Sequence, residues 1–139
     1  MSTAPLLSAD TRGTAGILLL TILFIEYGGL YVLRLVRGRA PATEFQKTFA
    51  RAGHAHAGVL VTLSLVGLIL ADSADLSGPL EFFARNGIWA AAVLMPAGYF
   101  FSSAGRGVTE PNRLIVLLYL GAASLALGVA SLGIGLLTT

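Results

Sequence analysis

The sequence predicts an all-α fold, a four-helix transmembrane bundle, on three observations. Charged residues make up 12% of the chain and hydrophobic ones 55%, whereas a soluble domain carries about 25% charge. Long apolar runs recur along the chain. The basic residues gather beside alternate ends of those runs, a pattern of membrane orientation rather than a nucleic-acid footprint. The mean hydropathy of +0.81 agrees, and 139 residues make one integral membrane domain. With no cysteine, disulfides, thiolate metal sites, iron–sulfur ligation and a cysteine nucleophile are excluded. The residues before Gly13 are mixed and polar, and the run after them is too long for the core of a cleavable signal peptide, so none is expected.

The first helix is expected over about 13–34. Thr14, Thr21, Glu26 and Tyr27 are the main polar interruptions of an apolar stretch from Gly13 to Leu33, long enough for a bilayer core of roughly 30 Å. It ends in Arg34, Arg37 and Arg39, and Pro41 blocks easy continuation. The second helix is expected over about 44–71, because Thr43 and Gln46 have capping-box spacing. Its opening turns pair Phe45 with Phe49, while Lys47 and Arg51 can snorkel to the membrane surface. Asp72-Ser73-Ala74-Asp75 ends it. Ser77-Gly78-Pro79 then reads as the cap and first turn of a third helix over about 78–104, which enters the apolar layer near Gly87. Pro96 should bend that helix or free the Ala92 carbonyl. In the fourth helix, about 111–137, Thr109 or Glu110 reads as the cap and Pro111 falls in the first turn.

Counting basic residues orients the chain. Loops 1–2 and 3–4 with their flanks carry Arg34, Arg37, Arg39, Lys47, Arg51, Arg106 and Arg113, while the N-terminal tail and loop 2–3 carry only Arg12 and Arg85. The excess places loops 1–2 and 3–4 in the cytoplasm and both termini outside, in a bacterial-type cytoplasmic membrane. Arg34, Arg37, Arg39, Lys47 and Arg51 are the expected membrane-surface residues, meeting anionic headgroups.

In the fourth helix Gly121, Ser124, Gly128, Ser131 and Gly135 fall at intervals of three and four residues. Such a small-residue seam lets two backbones approach closely. It serves either a contact with helix 1 or 3 or a homodimer face.

The stretch Arg51-Ala-Gly-His54-Ala-His56-Ala-Gly58 carries the candidate chemistry. Glu26 lies roughly 12 Å inside the boundary marked by Arg34, and His54 and His56 lie roughly 5 and 8 Å inside the one marked by Arg51. All three share a layer. An intramembrane ionisable group normally faces the bundle interior and finds a partner, so Glu26 with one histidine is the expected site. The two histidines point about 200° apart and cannot both hold one ion from an intact helix. Tyr27 and Tyr99 are candidate members of a proton relay with Glu26. Asp72, Asp75 and Glu81 read as a solvated outer loop. No phosphate-cradling loop, Ser–His–Asp arrangement or zinc-protease helix is present, so enzyme chemistry of the soluble type is not expected.

Gly53-His54-Ala55-His56-Ala57-Gly58 resembles the histidine-bearing helix of membrane proteins related to subunit I of haem-copper oxidases, over about ten residues. There such a histidine ligates haem. The likeness implies haem at His54 or His56, shared across a dimer or ligated also by Met95; with two histidines in all, an oxygen-reducing centre is excluded. The chain is also similar in size and in its helix-1 glutamate to small multidrug-resistance transporters, a likeness that implies proton coupling at Glu26 and a cation held by Trp89 and Tyr99. Three functions follow as expectations: a haem- or metal-binding or electron-transfer module using His54, His56 and Glu26; a small proton-coupled transporter using Glu26; and a structural subunit of a membrane complex. Four helices enclose little room, so a homo-oligomer or larger assembly in the lipid bilayer is expected.

Overall fold

The computed structural model describes residues 6–138. Among them it is all-α, with α1 Ala9–Val36, α2 Glu44–Ser73, α3 Gly78–Ser102 and α4 Val116–Thr138, the last entered through a 3-10 turn at Arg113–Ile115. Helix α1 starts earlier than the apolar run, because the Ser8 hydroxyl accepts from the Thr11 amide and draws the polar turn Asp10–Arg12 into the helix. It stops before Pro41 is reached. Gly38 takes φ of +67° and donates to the Leu35 carbonyl while Arg39 donates back to Arg34, a left-handed glycine closure.

The expected capping box of α2 is present. Thr43 Oγ1 accepts from the Gln46 amide and Gln46 Oε1 accepts from the Thr43 amide. The cap of the last helix is not the expected one. Asn112 Oδ1 accepts from the Leu114 amide, and Asn112 is anchored in turn to the carbonyls of Phe101 and Ser102. Asn competes better than Thr109 or Glu110 here because its amide also donates. Helix α3 runs unbroken through the buried Pro96.

The helices do not close into a square. Helix α1 packs along α2 alone, α2 packs on α3, and α4 lies along α3 with only a marginal touch on α2. The small-residue seam of α4 is used within the chain, against α3. A Cβ on Gly128 would strike Gly87 and Ile88, one on Gly121 would strike Met95, and Ser124 Oγ donates to the Gly87 carbonyl at 2.8 Å. The main core joins Leu60, Val61 and Leu68 of α2 to Ala91, Ala92 and Met95 of α3, and α1 reaches it only through Leu18, Ile22 and Ile25.

Three helices are long and apolar enough to cross a membrane: α1, α2 and the segment Arg113–Thr138. Large apolar side chains stand exposed along their flanks, among them Leu23, Phe24, Val59, Ile69 and Leu127, far more surface than a water-soluble monomer leaves open. Helix α3 does not meet the same measure of length and hydropathy, and small residues, Ala84, Gly87, Ala91, Ala92 and Gly98, line much of its buried face.

Loops 1–2 and 3–4 meet at one end of the molecule. The Gln46 side-chain amide donates to the Ser103 and Gly105 carbonyls at 2.9 and 2.8 Å, and Thr43 Oγ1 donates to the Val108 carbonyl. Seven of the nine basic residues gather at that end.

Candidate functional site

Because α1 leans on α2 and stands off from α3, a lateral crevice runs between α1 and α3 with α2 as its floor. Three cavities mark it in register. The first, of about 510 Å³, lies at the end away from the basic loops, called the outer end for that reason alone, among Thr11, Thr14, Ile17, Arg85, Asn86 and Trp89. The middle one, about 370 Å³, is walled by Leu18, Phe24 and Gly28 of α1, His54 and Val61 of α2, and Val93 of α3. The last, about 270 Å³, lies at the basic end between Tyr31, Leu35, Ala50 and Phe100. The middle cavity is almost wholly apolar, and His54 is its titratable group.

The two histidines go to opposite neighbours, as the 200° separation requires. His54 turns to α1, where its ring lies over backbone: a Cβ on Gly29 would stand 3.1 Å from Cε1 and 3.2 Å from Nε2. A methyl at position 29 would press on the imidazole, which would have to give by a few tenths of an ångström. Neither ring nitrogen of His54 has a hydrogen-bond partner among the described residues. His56 turns to α3. Its Nδ1–H donates to the Ala52 carbonyl at 2.8 Å, and its ring packs on Tyr99 at 5.0 Å between centroids. Tyr99 also meets Phe49, which stacks on Phe45, so an aromatic ladder holds His56. A backbone-oriented imidazole of that kind suits a metal ligand, but His56 is not among the residues lining the crevice.

Glu26 departs from expectation. It lies on the exposed side of α1 and has no hydrogen-bond or ion-pair partner among the described residues. The crevice takes Thr21, Phe24 and Gly28 from α1, and Glu26 projects about 200° from Phe24 and Gly28. A single chain therefore does not gather Glu26 and His54 in one cavity. Tyr27, its expected relay neighbour, is also exposed, while Tyr99 belongs to the His56 ladder. No group of three His, Asp or Glu side chains able to hold a metal ion forms among the described residues. Met95, considered as a second haem ligand, is buried in the core against Gly121.

The surface residues Arg34, Arg37, Arg39 and Arg51 are exposed, and Lys47 pairs with Glu44 at 2.8 Å.

The outer end holds a cluster that sequence reasoning missed. Asp72, expected in a solvated loop, has a side chain only 6% exposed. Its carboxylate accepts from the Ser8 amide at 2.8 Å, from Thr11 Oγ1 at 3.0 Å and from Arg85 Nη1 at 2.7 Å, and Arg85 Nε donates to Glu81 at 3.1 Å. The cluster ties the start of α1, the end of α2 and the start of α3 together at the mouth of the crevice. Opposite charges at matching depth on neighbouring helix ends were the signal available in the sequence. Asp75 is exposed, as expected, and the Glu81 side chain is 42% exposed.

No protein-family model, curated protein or solved structure matches this chain. The likenesses to haem-copper oxidase relatives and to small multidrug-resistance transporters therefore rest only on the residues that carry them.

Proposed function

We propose that the chain is a small integral membrane protein whose four helices all cross the bilayer, termini outside and loops 1–2 and 3–4 in the cytoplasm, and that it serves as a binding module for a lipid-phase ligand. The ligand enters the α1–α3 crevice from the bilayer, and His54 supplies the group that coordinates or hydrogen-bonds it. One observation carries the reading: an imidazole without a partner lines the almost wholly apolar middle cavity of the crevice. Leaving such a polar group unpaired away from water costs on the order of 1–3 kcal/mol, which a ligand recovers. Haem, for which His54 would supply a nitrogen ligand, is the first ligand class, and it would give an electron-transfer role. A quinone-type carbonyl accepting from the same ring is the alternative within that role.

Purification in mild detergent tests this. A Soret band, or a co-purifying lipophilic molecule identified by mass spectrometry, should be lost in His54→Ala and kept in His56→Phe. A preparation carrying neither, or a ligand indifferent to His54→Ala, overturns the reading.

The transport reading is favoured by a separate observation, the unpartnered Glu26 carboxyl inside an apolar helix. Such groups mark proton and ion pathways. Substrate-driven proton movement in vesicles, unchanged by Glu26→Gln, would remove it.

A further inference from the structure

Glu26 needs a partner that the single chain does not supply. It stands on the exposed side of α1, a helix apolar enough to cross a membrane, with no hydrogen-bond or ion-pair partner among the described residues. Facing lipid, a carboxyl is costly, and such groups are normally covered by protein.

Two features of α1 say what covers it. The first is a second stripe on the helix, opposite the one that packs on α2. Leu18, Ile25 and Val32 face the rest of the chain. On the far side Gly13, Gly16, Leu20, Leu23, Tyr27 and Leu30 follow one another at alternating intervals of three and four residues, and all six are exposed. That is the period of a left-handed helix pair. At Gly13 and Gly16 a Cβ would meet nothing within 4 Å, so the stripe is smooth at its outer end, where two backbones can approach.

The second feature is polar. With the stripe taken as the central positions of a heptad, Glu26 and Tyr31 fall on its two flanks, five residues apart. Flanking side chains at that offset meet across two parallel, in-register helices. Tyr31, which also borders the basic-end cavity, is 52% exposed, and its hydroxyl has no hydrogen-bond partner among the described residues. The donor that Glu26 lacks is thus carried by the same face of the same chain, at the spacing a second copy would present.

We infer that the exposed face of α1 is the interface of a homodimer. Two copies of this chain, related by a two-fold axis along the bilayer normal, pack α1 on α1 through that stripe, and the Tyr31 hydroxyl of each copy donates to the Glu26 carboxyl of the other. The contact is isologous, so each pair occurs twice. A shared membrane orientation keeps the two helices parallel. The seam of α4 offers no competing dimer face, because α3 and, at Gly135, Leu76 of the α2–α3 link occupy it. Arg34 continues the stripe at the membrane boundary, where its side chain reaches the headgroups.

The absence of native cysteine makes single-cysteine cross-linking clean. The full chain, reconstituted at high lipid dilution in phosphatidylcholine–phosphatidylglycerol vesicles, is oxidised and the covalent dimer measured. Gly16→Cys, Leu20→Cys and Leu23→Cys should give high yields, and Val59→Cys on α2 and Leu127→Cys on α4 yields lower by about tenfold or more, since an interface excludes the other faces. Adding Tyr31→Phe to Leu23→Cys should lower the dimer fraction at limiting protein by roughly 25-fold, the worth of the two net hydrogen bonds that the symmetric contact holds. Equal yields on all three helices, or a maximum on α2 or α4, overturn the interface. A yield unmoved by Tyr31→Phe overturns the Glu26–Tyr31 pairing.

Discussion

The α3–α4 pair and the α1–α2 pair are held by different means. Between α3 and α4 backbone meets backbone: Gly87 against Gly128, Gly98 against Leu118, and the Ser124 hydroxyl on the Gly87 carbonyl. Between α1 and α2 a side chain fills the gap, the His54 ring lying over Gly28 and Gly29. The first arrangement leaves no room, and the second opens onto a cavity of about 370 Å³. In lipid, where apolar burial gives little drive for helix association, close contact and interhelical hydrogen bonds do the holding. The glycine-lined pair is therefore the fixed wall of the crevice. Helix α1 is the looser wall, secured at its outer end by Asp72, Arg85 and Thr11.

That contrast can be broken at its tightest point. Gly87→Leu drives a side chain into the backbone of Gly128 and Ser124, and overpacking of this kind costs about 3 kcal/mol. Unfolding in mixed detergent should show the loss; a change under about 0.5 kcal/mol would mean that α3 and α4 are not the rigid pair. Arg85→Ala comes next. It leaves the Asp72 carboxylate enclosed without its cation, and because Arg85 is a quarter exposed the cost should be about 2 kcal/mol, below the 3–5 kcal/mol of fully buried pairs. Amide exchange should then rise at the start of α1 and stay unchanged at the α3–α4 seam.

Gly29→Ala probes the loose side. The added methyl meets only an imidazole that can turn, so the stability loss should stay below about 1 kcal/mol, while retention of a His54-dependent ligand falls. An equal loss from Gly29→Ala and Gly87→Leu would erase the difference between the pairs. The smallest effect is expected at Gly133, on the outer face of α4 with nothing within 4 Å of a Cβ. Gly133→Ala should leave unfolding unchanged or raise stability by up to about 1 kcal/mol through helix propensity.

Local features were legible in the sequence because they depend on near neighbours. The Thr43–Gln46 box, the ends of α2 and the opposite bearings of His54 and His56 all follow from spacing along one helix. The seam of α4 was legible as a seam. Its partner was not, because helices 1 and 3 both had apolar faces to offer. The cap at Asn112 was missed because its anchors, the Phe101 and Ser102 carbonyls, lie across the loop. Asp72 was misjudged for the same reason: Thr11 and Arg85, which close over it, lie 61 and 13 residues away along the chain, and only the matching depth of the opposite charges hinted at the pairing.

By itself, then, the sequence determined an all-α chain with apolar runs long enough for a bilayer, an uneven distribution of basic residues, and two histidines on opposite faces of one helix. Each is a matter of composition or of helical period, and none of the three depends on a distant residue. Only the tertiary structure decided that α4 spends its small residues on α3, that His54 rather than His56 faces a cavity, and that Glu26 stays outside it. Those outcomes depend on how each helix turns about its own axis. In an apolar phase that rotation is set by which small surfaces fit together, and fit is a property of two helices at once.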